Sequence, residues 1–165
     1  MAQALDIVKL MEKLAAIEEE GVAFYESLAK HTKNGKIRKL AQMMTRVEKR
    51  HQLRFEELAR TASKRKKTKP LDEVTADVRQ YIHALIDHRI FHTPEHAAKI
   101  AANLDDENEA VDMAVQFEKE NILLLLECGS IARGEARKSI KTFIEQERAH
   151  IRSLQRLRRQ LAKIE

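Results

Sequence analysis

The motif Glu-x-x-His occurs twice, at Glu48–His51 and at Glu147–His150, each time inside the apolar stripe of a long amphipathic segment. A Glu and a His three positions apart lie on one helix face, about one turn apart. Ionisable side chains are not expected in a stripe that must be buried. Each of the two other long segments also places one Glu in its stripe, Glu18 and Glu118. Glu18 precedes Glu48 by 30 positions and Glu118 precedes Glu147 by 29, so one helix-pair unit is used twice. A chain patterned in this way must bring four carboxylates and two imidazoles into its interior.

The periodicity predicts four main helices. The first spans about 4–32, with Met11, Leu14, Glu18, Gly21, Tyr25 and Leu28 inward. Gly21 is costly inside a helix, so its use one turn from Glu18 points to a neighbour that must come close. Asn34-Gly35 is read as a joint ending the first helix with a residue suited to positive φ. The second helix spans about 36–62, with Met44, Glu48, His51, Phe55 and Leu58 inward. The third spans about 107–130, with Val111, Ala114, Glu118, Asn121, Leu125 and Cys128 inward. The fourth spans about 135–163, with Ile140, Phe143, Glu147, His150, Leu154 and Leu157 inward.

Between the second and third helices lie a segment near 72–89 and a shorter helix opened by Thr93 as cap and Pro94 as first residue. These are long enough to carry the chain back along the molecule. The expected fold is all-α: an antiparallel four-helix bundle with a long helical crossover between the second and third main helices. One domain over 1–165 is expected from the length.

Four buried carboxylates without compensation would be untenable, since each ion carries a desolvation cost of several kcal/mol and their repulsion adds to it. Protonation is one remedy. Two divalent cations are the better one, because they balance four negative charges while two neutral imidazoles complete the shells. Carboxylate oxygen with imidazole nitrogen suits iron or manganese, and zinc fits chemically. A thiolate site is excluded, because Cys128 is the sole cysteine. The expected ligands are Glu18, Glu48, His51, Glu118, Glu147 and His150.

No apolar run reaches membrane-spanning length. The first ten residues carry acids and no apolar signal core. With the lone cysteine, this places the expected compartment in the reducing cytoplasm. The net charge of +5 is concentrated in Lys64-Arg65-Lys66-Lys67-Thr68-Lys69 and in Arg156, Arg158, Arg159 and Lys163. No aromatic residue interleaves the 64–69 run, so nucleic-acid stacking has no platform there and a solvated linker is expected.

The six-residue set is that of ferritin-like di-iron and di-manganese proteins, and the surrounding phrases resemble the rubrerythrin-type branch of that superfamily. Ala16-Ile17-Glu18-Glu19-Glu20-Gly21-Val22-Ala23-Phe24-Tyr25 resembles its first helix. Ala114-Val115-Gln116-Phe117-Glu118-Lys119-Glu120 resembles its third, and Glu145-Gln146-Glu147-Arg148-Ala149-His150 its fourth. The resemblance implies Glu18 and Glu118 as terminal ligands, Glu48 and Glu147 as bridges, and His51 and His150 as nitrogen ligands of two iron ions. It implies peroxide reduction or ferroxidation, with O2 or peroxide as oxidant. The alternatives are iron storage or delivery, and a helical module binding an anionic partner through the basic run. A homodimer or higher homo-oligomer is expected.

Three departures from the family pattern matter. No four-cysteine rubredoxin segment is present, so an external electron donor such as a rubredoxin-like protein is expected. Asn121 stands where a second carboxylate of the third helix would lie, which bears on the ligand exchange of rubrerythrins. The Tyr expected near Leu125 is missing, which leaves Tyr25 as the hydrogen-bond donor beside the site. The set also resembles bacterioferritin, but Gln52 falls where its haem methionine would be, so no haem is expected.

Glu20 and Glu120 are rival ligands, each roughly 160° around the helix from the chosen Glu, and a solvated role is expected for both. His88, His92 and His96 step by four, but Pro94 interrupts a common face, so they are read as surface histidines. Cys128 is read as a small buried hydrophobe.

Overall fold

The computed structural model describes residues 6–64 and 74–163. Six helices follow in order: α1 Ile7–His31, α2 Gly35–Ser63, α3 Ala76–Asp87, α4 Pro94–Ala102, α5 Glu107–Ile131 and α6 Gly134–Leu161. The all-α architecture expected from the periodicity is observed. Residues 65–69 of the basic run lie outside the described residues, as does the first part of the segment read near 72–89.

Five of the six helix starts are fixed by a short polar side chain taking up free backbone N–H groups, while α6 starts after Arg133 without a side-chain cap. Asp6 accepts from Val8 and Lys9, Thr75 from Val78, Thr93 from His96 with Pro94 behind it, and Asp106 from Glu109. Asn34 departs from expectation. It has φ −81° and caps the start of α2 by accepting from Lys36 and Ile37, rather than closing α1 in a left-handed conformation. Thr32, extended, ends α1. Among the described residues, positive φ is found at Gly134, where the α5–α6 turn requires it.

α1 and α2 pack together, as do α5 and α6, and the two hairpins face each other. α4 lies along α1 and α3 touches α5, so the crossover wraps the bundle. The core forms two apolar clusters. One contains Leu10, Leu14, Phe55, Ile82, Leu124, Ile140 and Phe143. The other contains Phe24, Met44, Phe91, Ala114, Phe117 and Leu154. The polar residues of the inner seams belong to neither. Among the described residues no helix is long and apolar enough to cross a membrane.

Candidate metal centre

Glu18 comes from α1, Glu48 and His51 from α2, Glu118 from α5, and Glu147 and His150 from α6. All six are buried, none more than 4% exposed. The inner seams put them at one level of the bundle, because each Glu or His replaces an apolar residue at a step of three or four. His51 Nδ1 lies 2.9 Å from Glu147 and 3.6 Å from both Glu18 and Glu48. His150 Nδ1 lies 2.9 Å from Glu147, 3.1 Å from Glu48 and 3.3 Å from Glu118.

Two overlapping groups of donors result: Glu18, Glu48, His51 and Glu147, and Glu48, Glu118, Glu147 and His150. Within each, one donor atom per residue lies within 4.8 Å of the others. Glu48 and Glu147 belong to both groups, the position a bridging carboxylate must occupy. Among the described residues no other such cluster occurs. His92 and His96 stack their rings at 5.6 Å without joining one.

Gly21 explains how the carboxylates come so close. A Cβ there would stand 2.7 Å from Cζ of Phe117 and 3.3 Å from Cγ of Glu48. The missing side chain lets α2 and α5 approach α1 where Glu18 enters the core, as the sequence implied. Phe117 fills the space on the α5 side. Tyr25, one further turn along α1, donates its hydroxyl to Glu118 Oε1.

The cluster balances its own charge with protons. Burial pushes the Glu18 carboxyl well above the usual range, and Glu48 and Glu147 add to the rise against the pull of His51. Burial raises Glu118 likewise, with Glu147 and Glu48 adding to it. Burial also opposes charge on Glu48 and Glu147, but the two neighbouring imidazoles hold both carboxyls below the ordinary value. His51 and His150 are disfavoured as cations by burial, yet the carboxylates around them raise both strongly. Two acids, two carboxylates and two imidazoliums sum to zero charge. Tyr25 remains a phenol, raised first by burial and then by the neighbouring carboxyl groups of Glu118, Glu48 and Glu147.

Protons balance this charge without satisfying the geometry. Glu18 Oε2, both oxygens of Glu48 and of Glu147, Glu118 Oε2 and both Nδ1 atoms are buried without an aligned hydrogen-bond partner. Orphaned buried polar atoms are costly. Close approach without alignment is what donor atoms arranged around a shared third atom show. A hard oxygen-rich set with two imidazoles fits two cations of the iron or manganese type.

The sequence reading missed a second buried ion pair. Glu20, expected in solvent, is 3% exposed, and its carboxylate faces Arg89 at 3.6 Å. Arg89 comes from the α3–α4 connection, is itself buried, and lies 5.4 Å above the Phe117 ring. Glu120 is partly buried and accepts from Ile90 N–H at 3.1 Å. Neither acid joins the six-residue cluster, because both turn toward the crossover. The only sequence signal was an Arg set among Ile86, Ile90 and Phe91.

The bundle places the chain in the class of ferritin-like folds, and its donor set could hold metal ions. Within that class the chain belongs to the rubrerythrin family, whose sequence profile matches residues 9–158. Among solved structures it is similar to a Thermotoga maritima protein described provisionally as a ferritin-like diiron-carboxylate protein. That match has a TM-score of 0.67 and 23% identity, and covers 96% of this chain and 98% of the other. Comparison with curated proteins gave no significant match.

Proposed function

We propose that this chain is a di-iron oxidoreductase that reduces peroxide with electrons from a separate donor. The observation that supports it most is the set of buried, unpartnered donor atoms on Glu18, Glu48, His51, Glu118, Glu147 and His150. Glu48 and Glu147, common to both donor groups, would hold one ion together with Glu18 and His51 and the other together with Glu118 and His150. Two iron ions held there would supply the two electrons that, with two protons, reduce one peroxide to two waters. The apolar shell around the six residues would keep bulk water from the ions, and Tyr25 steadies Glu118 through its hydroxyl. Asn121, one turn beyond Glu118, is buried, and neither amide atom has a partner. An amide cannot take the place of an anionic ligand, so the terminal carboxylate on α5 is Glu118 alone. A rubredoxin-like protein is the class of donor we propose.

Glu48→Ala with Glu147→Ala tests the site. Loss of both irons per chain, measured by elemental analysis, supports it, and retention of two irons refutes it. Peroxide consumption by the iron-loaded protein with a reducing donor tests the reaction, and absence of turnover refutes it. Storage of iron is a second reading that the same centre could serve. It needs a closed shell, so a solution mass corresponding to a dimer rules it out.

A further inference from the structure

We propose that Gln146 is a positioning residue that makes the two metal positions unequal. It does so by fixing His51 as a ligand through Nδ1, while His150 has no comparable support. This rests on the di-iron reading above.

His51 is held on three sides. Its Nε2 lies 2.5 Å from Gln146 Oε1, across the α2–α6 interface. An amide oxygen only accepts, so Nε2 must carry the hydrogen. The lone pair of the neutral ring is then forced onto Nδ1, the atom that faces Glu147, Glu18 and Glu48. Phe143 covers the ring face at 4.2 Å between centroids, and Phe55 meets Phe143 edge-on at 5.1 Å. The ring is therefore fixed in tilt and depth before any ion arrives, and the proton it gives up on ligation is the one on Nδ1.

His150 is held differently. Its Nδ1 faces Glu48, Glu118 and Glu147, but among the described residues no side chain accepts a hydrogen from its Nε2. Its ring neighbour is His51 itself, at 6.4 Å between centroids. On that side the supporting contact falls on the carboxylate instead, where Tyr25 donates to Glu118. A carboxylate oxygen that accepts a hydrogen bond has less electron density to give a cation. One position thus gains an imidazole supported from behind, while the other has an imidazole without that support and a weakened carboxylate. The position of Glu18 and His51 should fill first and empty last.

Partners outside the ligand shell typically change metal affinity 10–100-fold, which sets the scale of the test. Cobalt(II) titration of the full chain, followed by absorption, should show two steps in the native protein. Gln146→Leu should weaken the tighter step about 10–100-fold and leave the weaker one within a few-fold. Gln146→Glu keeps an acceptor and should preserve the separation. The tighter step should disappear in His51→Ala and survive in His150→Ala. Two native steps of equal affinity, or a tighter step that follows His150, would overturn the proposal. So would a Gln146→Leu variant that leaves both steps unchanged.

Gln146 is only partly buried, and circular dichroism checks that the leucine variant folds. If it does not, nitrogen-15 NMR of the zinc-loaded native protein decides. A slowly exchanging Nε2–H on His51 supports the proposal, and zinc bound through Nε2 refutes it. Should the native protein take up no second ion, the di-iron reading itself fails, a result distinct from two equal steps.

Discussion

Metal uptake should expel protons in a fixed ratio, and the cluster's charge pattern sets that ratio. Without cations, Glu18 and Glu118 are pushed up into the acid form by burial and by neighbouring carboxylates, while His51 and His150 are imidazoliums. Two M2+ ions need four carboxylates and two neutral imidazoles, so four protons must leave. Cluster charge is zero before and after, which is what a buried site requires. The overall constant for binding two ions should then rise about ten-thousandfold per pH unit, or ~5.4 kcal/mol at ~1.36 kcal/mol per proton. The sign is fixed: protons and cations compete for the same atoms, so affinity falls as pH falls. Chelator-stripped protein, titrated with cobalt(II) or iron(II) by calorimetry at pH 6.5 in buffers of different ionisation enthalpy, gives the proton count directly. Four protons for two ions are expected. Two or fewer would mean that Glu18 and Glu118 were already ionised, and the charge accounting would be wrong. Glu18→Gln should lower the count by one and weaken binding.

Gly21→Ala should destabilise the protein by about 1–3 kcal/mol, the range for overpacking, because the new methyl would stand 2.7 Å from Phe117. A gain in stability on urea denaturation, as helix propensity alone would give, contradicts this. Tyr25→Phe leaves Glu118 Oε1 without its donor, at a cost of about 1–3 kcal/mol in the stripped protein. Iron content should stay at two ions per chain while peroxide turnover slows, and an unchanged rate would show that the hydroxyl is idle. Arg89→Met removes the partner of a buried carboxylate and should cost about 3–5 kcal/mol near pH 8. Burial raises Glu20 to about 7 even against Arg89. A carboxyl raised on folding binds its proton more tightly in the folded state, so this stability is present at low pH. It is lost as pH rises from about 4.5 to about 7. Glu20→Gln should flatten that slope, and chemical denaturation across pH 4–8 measures it.

The helices and the inward residues were legible because side-chain period reports burial directly. Glu18, Glu48, His51, Glu118, Glu147 and His150 stood out as polar groups where apolar ones belong. Gly21 signalled a close approach, which proved to be Phe117 and Glu48. Glu20 was misread because its helix angle points away from the centre, and periodicity does not say that the crossover will cover that face with Arg89. Asn34 was misread because a short polar residue before glycine can end one helix or cap the next, and the path of the chain decides which.

Local pattern thus determined the four long helices, their inner faces and the donor types at their mid-height. Tertiary structure decided which donors share an ion, what supports each imidazole from behind, and where a second charged pair could be buried. Those are relations between side chains on different helices, such as His51 with Gln146 or Glu20 with Arg89. Spacing along one helix fixes a direction from its own axis, and only packing fixes what lies in that direction.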